Sequence, residues 1–165
     1  IATRGTTKIS FRVDMQRDME ALFKKGGNTF GAGWALPGLI DERILLAVYD
    51  GKHKNVYLGE FPGGFNVGYA NNGYFFREKK DRWTDKFYAG DVISFIVDAE
   101  HGYKEAELSK WSVPYGRFTC LLNGQSDEQR LYDGIFVNPD SRIYFCAQVN
   151  EQVKESGITF TLINQ

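Results

Sequence analysis

The stretch from Gly68 to Asp98 constrains this chain more than any other, because backbone reversals bracket a single short apolar run. It reads GYANNGYFFREKKDRWTDKFYAGDVISFIVD. The turn Tyr69-Ala70-Asn71-Asn72-Gly73-Tyr74 leads into a charged, aromatic loop ending at Trp83. A second turn, Tyr88-Ala89-Gly90-Asp91, launches Val92-Ile93-Ser94-Phe95-Ile96-Val97. Asn-Gly and Gly-Asp steps mark places where the backbone takes positive φ or a reversal backed by a side chain. The run after Gly90 is short and rich in β-branched residues, which suits a buried strand and not a helix. The expected centre is therefore a core strand carrying long, aromatic-tipped loops at one end.

The rest of the chain supports extended structure. Ile9, Phe11 and Val13 alternate with Lys8, Ser10 and Arg12, the pattern of a half-buried antiparallel strand. Asp14 is placed to cap a helix whose apolar face is Met15, Met19, Leu22 and Phe23, with Gly26-Gly27 as its stop. Gly31 to Gly38 reads as a glycine-rich segment anchored by Trp34. Ile44–Tyr49 reads as a buried strand, Asp50-Gly51 as a turn, and Val56-Tyr57-Leu58 as the returning strand. Phe65, Val67 and Tyr69 alternate. Ala99–Pro114 reads as a polar surface excursion and Gln125–Asp133 as a solvated segment. Arg117–Leu122, Ile135–Val137, Arg142–Val149 and Gly157–Ile163 are further strands, with turns at Asn123-Gly124 and Asn138-Pro139-Asp140. About nine strands and one short helix near the N-terminus predict an all-β antiparallel sandwich. Helical crossovers for a parallel sheet are missing.

At 165 residues the chain fits one domain, 1–165, with enough length for a core without staples. It starts at Ile1, as a fragment of a larger protein would. A formal net charge of −1 with interspersed signs argues against nucleic acid and against a polybasic membrane surface. No apolar run is long enough to span a bilayer, so no membrane insertion is expected. Cys120 and Cys146, each inside an apolar run, read as small buried hydrophobes; a disulfide is the alternative a secreted protein would use.

The order of motifs resembles the SPRY (B30.2-like) domain family. The matching pieces are Gly33-Trp34-Ala35-Leu36-Pro37, Leu58-Gly59-Glu60 through Gly68-Tyr69, Phe87 to Asp98 around Gly90-Asp91-Val92-Ile93, and Gly116-Arg117-Phe118 to Leu122-Asn123-Gly124. Arg142–Val149 and Ile158–Leu162 supply the final strand pair. The chain departs from the pattern by extra residues between Asp98 and Gly116 and across Leu39–Val56. The resemblance implies a concanavalin-like jelly roll, an intracellular (cytoplasmic) setting, and recognition of a peptide or protein partner.

The residues themselves offer little catalytic chemistry. His53 and His101 stand in polar surroundings, and no metal-binding or nucleophile motif is present. Asp91 and Asp98 bracket one strand and read as turn residues. No cofactor, metal or catalytic role is expected. Recognition chemistry is abundant instead: Asn71, Asn72, Tyr74, Arg77, Arg82 and Trp83 lie in one loop-rich stretch, Trp111 and Tyr115 in another, and Trp34 in a third. Tyr, Trp and Arg are the types enriched at binding hot spots. The expected function is a non-catalytic module binding a peptide or protein through loops at the sandwich end. The alternative is a carbohydrate-binding, lectin-like head of an adhesin or viral spike, extracellular or on a virion surface, where the same aromatics stack on a sugar of a cell-surface glycan.

Overall fold

A computed structural model describes residues 6–14, 34–52, 56–77, 82–105, 112–135, 142–149 and 157–163; over 100–105, 112–115 and 134–135 the description is of the backbone. The helix expected after Asp14, with Met15, Met19, Leu22 and Phe23, lies outside the described residues, as do His53, Trp111 and the Asn138–Asp140 turn. The elements are β1 (Thr6–Asp14), β2 (Ala35–Asp41), α1 (Glu42–Tyr49), β3 (Asn66–Tyr69), β4 (Tyr74–Phe76), β5 (Arg82–Trp83), β6 (Val92–Glu105), β7 (Ser112–Leu122), β8 (Leu131–Ile135), β9 (Ile143–Val149) and β10 (Thr159–Ile163), with a 3-10 turn at Glu128–Arg130.

The strands form two five-stranded sheets, ordered β10-β1-β6-β7-β8 and β5-β4-β3-β2-β9. Every ladder is antiparallel. The first sheet contributes Phe11, Val13, Ile93, Phe95, Val97, Phe118 and Cys120 to a core that the second meets with Ala35, Leu39, Val67, Tyr69, Phe75 and Ile143. The expected β-sandwich is therefore present. Its centre is a run of rings: Phe118 stacks on Phe75 across the sandwich at 5.8 Å and 19°, and touches Phe95 at 5.6 Å. Each buried ring contributes about 1.5–3 kcal/mol through area removed from water.

The centre of the second sheet is buried on both sides. All seven residues of β2 and all four of β3 are buried. The outer face carries its own cluster, Leu36, Ile40, Ile44, Leu58, Phe61, Ala70 and Phe76. This third layer is made by α1 and the segment 56–64. It corrects three sequence expectations. Ala35–Asp41 is a strand that takes in the end of the segment Gly31 to Gly38, read as glycine-rich; a strand covered on both faces lacks the alternation that marks one from sequence. Ile44–Tyr49 is helical and not a strand. Asp41 caps it, its carboxylate accepting from Arg43 N at 2.9 Å, and a six-residue apolar run carries no period that separates the two states. Val56–Leu58 is no strand: Leu58-Gly59 is a turn closed by Glu60 N donating to Tyr57 O at 2.9 Å.

Two further corrections concern the first sheet. Ala99–Pro114 is not an excursion, because β6 continues to Glu105 and pairs with β7 from Ser112, past a register shift between Asp98 and Gly102. Asp98 accordingly lies within β6 and not at its end. Gln125–Asp133 is not wholly solvated, since Arg130 is among the most deeply buried side chains. At the opposite edge, Leu162 stays exposed although it shares a face with Phe160, which packs edge-on to Phe11 at 5.5 Å. The thiols of Cys120 and Cys146 are free and belong to different sheets, the first in β7 and the second in β9.

Candidate functional site: an aromatic strip on the outer sheet face

Tyr74 and Phe76 are two residues apart on β4 and share its outer face. Trp83 is the direct cross-strand partner of Tyr74 on β5. Strand geometry alone thus brings three rings together. Trp83 meets Tyr74 at 4.7 Å and 62°, and Tyr74 meets Phe76 at 4.7 Å and 78°. Tyr57 continues the row at 5.3 Å from Phe76, and Trp34 ends it, edge-on to Tyr57 at 5.6 Å. Five rings form one strip beside the cluster under α1. Trp83 is 58% exposed and Tyr57 37%, while Phe76 is buried beneath them.

Tyr57 reaches the strip because the segment carrying it lies directly on the sheet. Gly38 and Gly68 are cross-strand partners, and a Cβ on Gly68 would stand 2.5 Å from Leu58 O. A Cβ on Gly38 would meet Val67 O at 1.9 Å and Leu58 Cδ2 at 2.7 Å. Two side-chain amides then hold the segment. Gln148 Oε1 accepts from Leu58 N at 2.7 Å while its Nε2 donates to Val56 O at 3.1 Å. Asn66 Oδ1 accepts from Gly59 N at 2.6 Å and Phe61 N at 3.2 Å, and its Nδ2 donates to Phe61 O at 2.9 Å. Side-chain amides satisfied on both ends, Asn66 fully buried and Gln148 partly so, fix a crossing that otherwise leaves peptide groups unpaired.

Three sequence-expected binding residues serve the scaffold. Asn71 is fully buried; its Oδ1 accepts from Ala35 N at 3.1 Å and its own N–H donates to Ala35 O at 3.1 Å, prolonging the ladder beyond β3. Asn72 is buried, accepting from Tyr74 N at 3.0 Å within the turn. Arg77 is buried with its guanidinium over the Tyr132 ring at 5.5 Å, joining β4 to β8. Of the others, Trp34, Tyr74 and Trp83 are brought together in the strip, and Arg82 is exposed on β5 opposite Phe75. Tyr115 pairs with Gly102 in the long hairpin, away from β4 and β5 in the sheet order. Tyr57 and Phe76 were not singled out from the sequence. The alternation of Tyr74 and Phe76 carried a signal for the second; Tyr57 had none, because its place depends on the glycine floor.

A charged cluster closes the neighbouring end of the sandwich. Arg130 Nε donates to Cys120 O at 3.2 Å, Nη1 to Thr84 Oγ1 at 2.7 Å and Nη2 to Gln125 O at 3.1 Å. Its charge faces Asp127 at 3.8 Å and Asp85 at 4.0 Å, and it lies 5.6 Å from the Tyr69 ring centroid. Burial raises the Tyr69 hydroxyl's pKa, tempered by Arg130, and that hydroxyl donates to Asp85 O. Burial likewise raises the Cys120 thiol. These hydrogen bonds fix the segment after β5 against β7.

Among the described residues no group of three or more His, Cys, Asp or Glu side chains is disposed to hold a metal ion, and no helix is long and apolar enough to cross a membrane. No protein-family model matches the sequence, and no curated protein or solved structure matches it either.

Proposed function

We propose that this chain is a non-catalytic recognition domain that binds a peptide segment of a protein partner across the aromatic strip. The observation that carries this reading is Trp83: a large indole more than half exposed, supported edge-on by Tyr74 on a two-residue edge strand. Aromatic rings held rigid by a sheet supply contact area at small entropic cost, which is what an anchor for a ligand requires. A row of apolar rings beside such an anchor extends the contact beyond a single side chain. The burial of Asn71, Asn72 and Arg77 moves the proposed surface from the loop end to the outer sheet face.

We further take the sandwich to be a divergent SPRY-type jelly roll. Supporting this, Gly90-Asp91 and Leu122-Asn123-Gly124 meet as one hydrogen-bonded unit, which gives their serial occurrence a physical reason. The test of function is a peptide display selection run beside a glycan array. Peptides retained by wild type and lost with Trp83→Ala support the reading. Sugar-specific binding lost with the same variant, with no peptide retained, replaces it with the lectin alternative.

A further inference from the structure

We propose that Asn123 is a site of spontaneous, water-driven modification, in which its side-chain amide is lost to give aspartate or isoaspartate, and that its contact with Asp91 guards it. The chain contains two Asn-Gly steps, Asn72-Gly73 and Asn123-Gly124. In such a step the glycine nitrogen, with no side chain beside it, can reach the asparagine Cγ. A bond forms between the glycine nitrogen and Cγ, and the N–H proton passes to solvent. The Cγ–Nδ2 bond breaks and Nδ2 leaves as ammonia. Water then opens the cyclic imide at either carbonyl. Nothing is oxidised or reduced; an amide and water become a carboxylic acid and ammonia.

The fold treats the two steps differently. Asn72 is buried, and its Oδ1 accepts from Tyr74 N at 3.0 Å. Gly73 N, the atom that would attack, donates to Ala70 O at 2.9 Å. A Cβ on Gly73 would stand 2.3 Å from Thr84 O, so this step is packed from outside as well. Asn123 and Gly124 are both exposed, and a Cβ on Gly124 would meet nothing within 4 Å. Room for the imide and access for water are present at the second step and not at the first.

The Asn123 side chain is held back by its own hydrogen bonds. Nδ2 donates to Asp91 Oδ1 at 3.0 Å, and Oδ1 accepts from Val92 N at 2.8 Å. Together they keep the amide turned toward the start of β6. Attack makes Cγ tetrahedral and expels Nδ2, so the contact must open locally first. The product cannot restore it. An oxygen in place of Nδ2 sets two carboxylates face to face where an amide had donated to one. Isoaspartate also lengthens the main chain inside a hairpin turn whose register depends on loop length. Opening is reversible and the chemistry is not, so the joint between β6 and β7 works as a one-way latch.

The experiment incubates the full chain in mildly alkaline buffer under native conditions and follows both Asn-Gly steps by peptide mapping and mass spectrometry. Asn123 is expected to convert about tenfold faster in Asp91→Ala than in wild type, the scale of a lost hydrogen bond to a charged group. Asn72 is expected to stay intact in both. Conversion of Asn72 in the variant would report global unfolding. The comparison is then made on wild type in urea below its transition, where Asn123 should convert ahead of Asn72. An equal or slower rate at Asn123 in folded Asp91→Ala, or equal conversion of Asn72 and Asn123 in wild type, overturns the guarded site. Asn123→Asp stands for the product and is expected to melt below wild type. Adding Asp91→Asn exchanges donor and acceptor and is expected to regain most of that loss. No loss with Asn123→Asp, or no regain in the exchanged pair, overturns the latch.

Discussion

Asn123 Nδ2 donates to Asp91 Oδ1 at 3.0 Å, joining two turns that lie 32 residues apart in the chain. The other atoms of both side chains are engaged in the same clasp. Asp91 Oδ2 accepts from Tyr88 N at 2.7 Å, and Asn123 Oδ1 from Val92 N at 2.8 Å. Asn123 N donates to Val92 O at 2.7 Å, and Asp91 O accepts from Val13 N at 2.9 Å. The start of β6, the end of β7 and the end of β1 are thus tied at one point. Asn123 and Gly124, at φ 52° and 81°, form the reversal of a primed hairpin turn. Alanine at Asp91 and at Asn123 is expected to show a coupling of about 1 kcal/mol in a double-mutant cycle. Urea melts of the two single variants and the double variant measure it. Additive losses would mean that the clasp contributes nothing as a pair.

Gly68 offers a sharper test of the third layer. A Cβ there would stand 2.5 Å from Leu58 O, a backbone oxygen that cannot rotate away as a side chain can. Gly68→Ala is expected to destabilise by about 3 kcal/mol, at the high end for overpacking. The loss should appear with a change in the fluorescence of the strip, because the segment carrying Leu58 also carries Tyr57 next to Trp34. Gly51→Ala is the control: an added Cβ there meets nothing within 4 Å, leaving only the strain of φ +79°. A melting temperature for Gly68→Ala equal to that of Gly51→Ala would contradict the close crossing.

Arg130 and Asp127 set an acid sensitivity. Asp127's carboxyl is held below its ordinary 3.8, foremost by the amide of Gln129, then by Thr84 and the Arg130 guanidinium, with burial opposing. A folded-state value below the unfolded one means that the unfolded chain binds the proton first. The stabilisation is therefore complete above the ordinary carboxylate range and is lost as pH falls through the depressed folded value. Asp14, lowered by hydrogen bonds from Arg12 and Thr161, acts in the same window. Asp127→Asn is expected to flatten the fall in melting temperature below about pH 4. An unchanged slope would remove Asp127 from the cause. Arg130→Met removes the buried guanidinium's hydrogen bonds to Cys120 O, Thr84 Oγ1 and Gln125 O and is expected to cost about 3 kcal/mol at neutral pH.

The two thiols should resist alkylation in the native state. Burial raises both, Cys146 to about 12, so little thiolate is present near neutrality. Iodoacetamide at pH 8, roughly the pKa of a free thiol, is expected to label neither until denaturant is added, and then both. One thiol labelled at the rate of free cysteine would show an opening of the sandwich that these contacts do not allow.

What was readable in the chain was whatever depends on near neighbours. Alternation in Ile9–Val13 and the turn chemistry of Gly90-Asp91 and Asn123-Gly124 are local properties, and each foretold its element. Sandwich packing followed from them, because half-buried strands without crossover helices have few other ways to cover their inner faces. The strip's β4–β5 portion was within reach for the same reason, through the spacing of Tyr74 and Phe76.

Where burial comes from a partner distant in sequence, local pattern carries no mark of it. The Ile44–Tyr49 run has the same apolar character as helix or strand, and Asp41's cap with the floor of the second sheet decided for helix. β2 hid behind Pro37 and Gly38; the glycine's meaning is the closeness of Val67 O on β3 and of the Leu58 side chain. Arg130 read as solvated because its three acceptors arrive from Cys120, Thr84 and Gln125, whose places are set by the packing of the sheets. Asn71 and Asn72 looked equally suited to a ligand or to a backbone, since one amide chemistry serves both; folding placed peptide groups within their reach. The sequence by itself thus determined two layers of strands and the turns that join them. The third layer, the buried cation and the alignment of five rings were decided by tertiary structure, because each requires segments far apart in the chain to meet at a fixed distance.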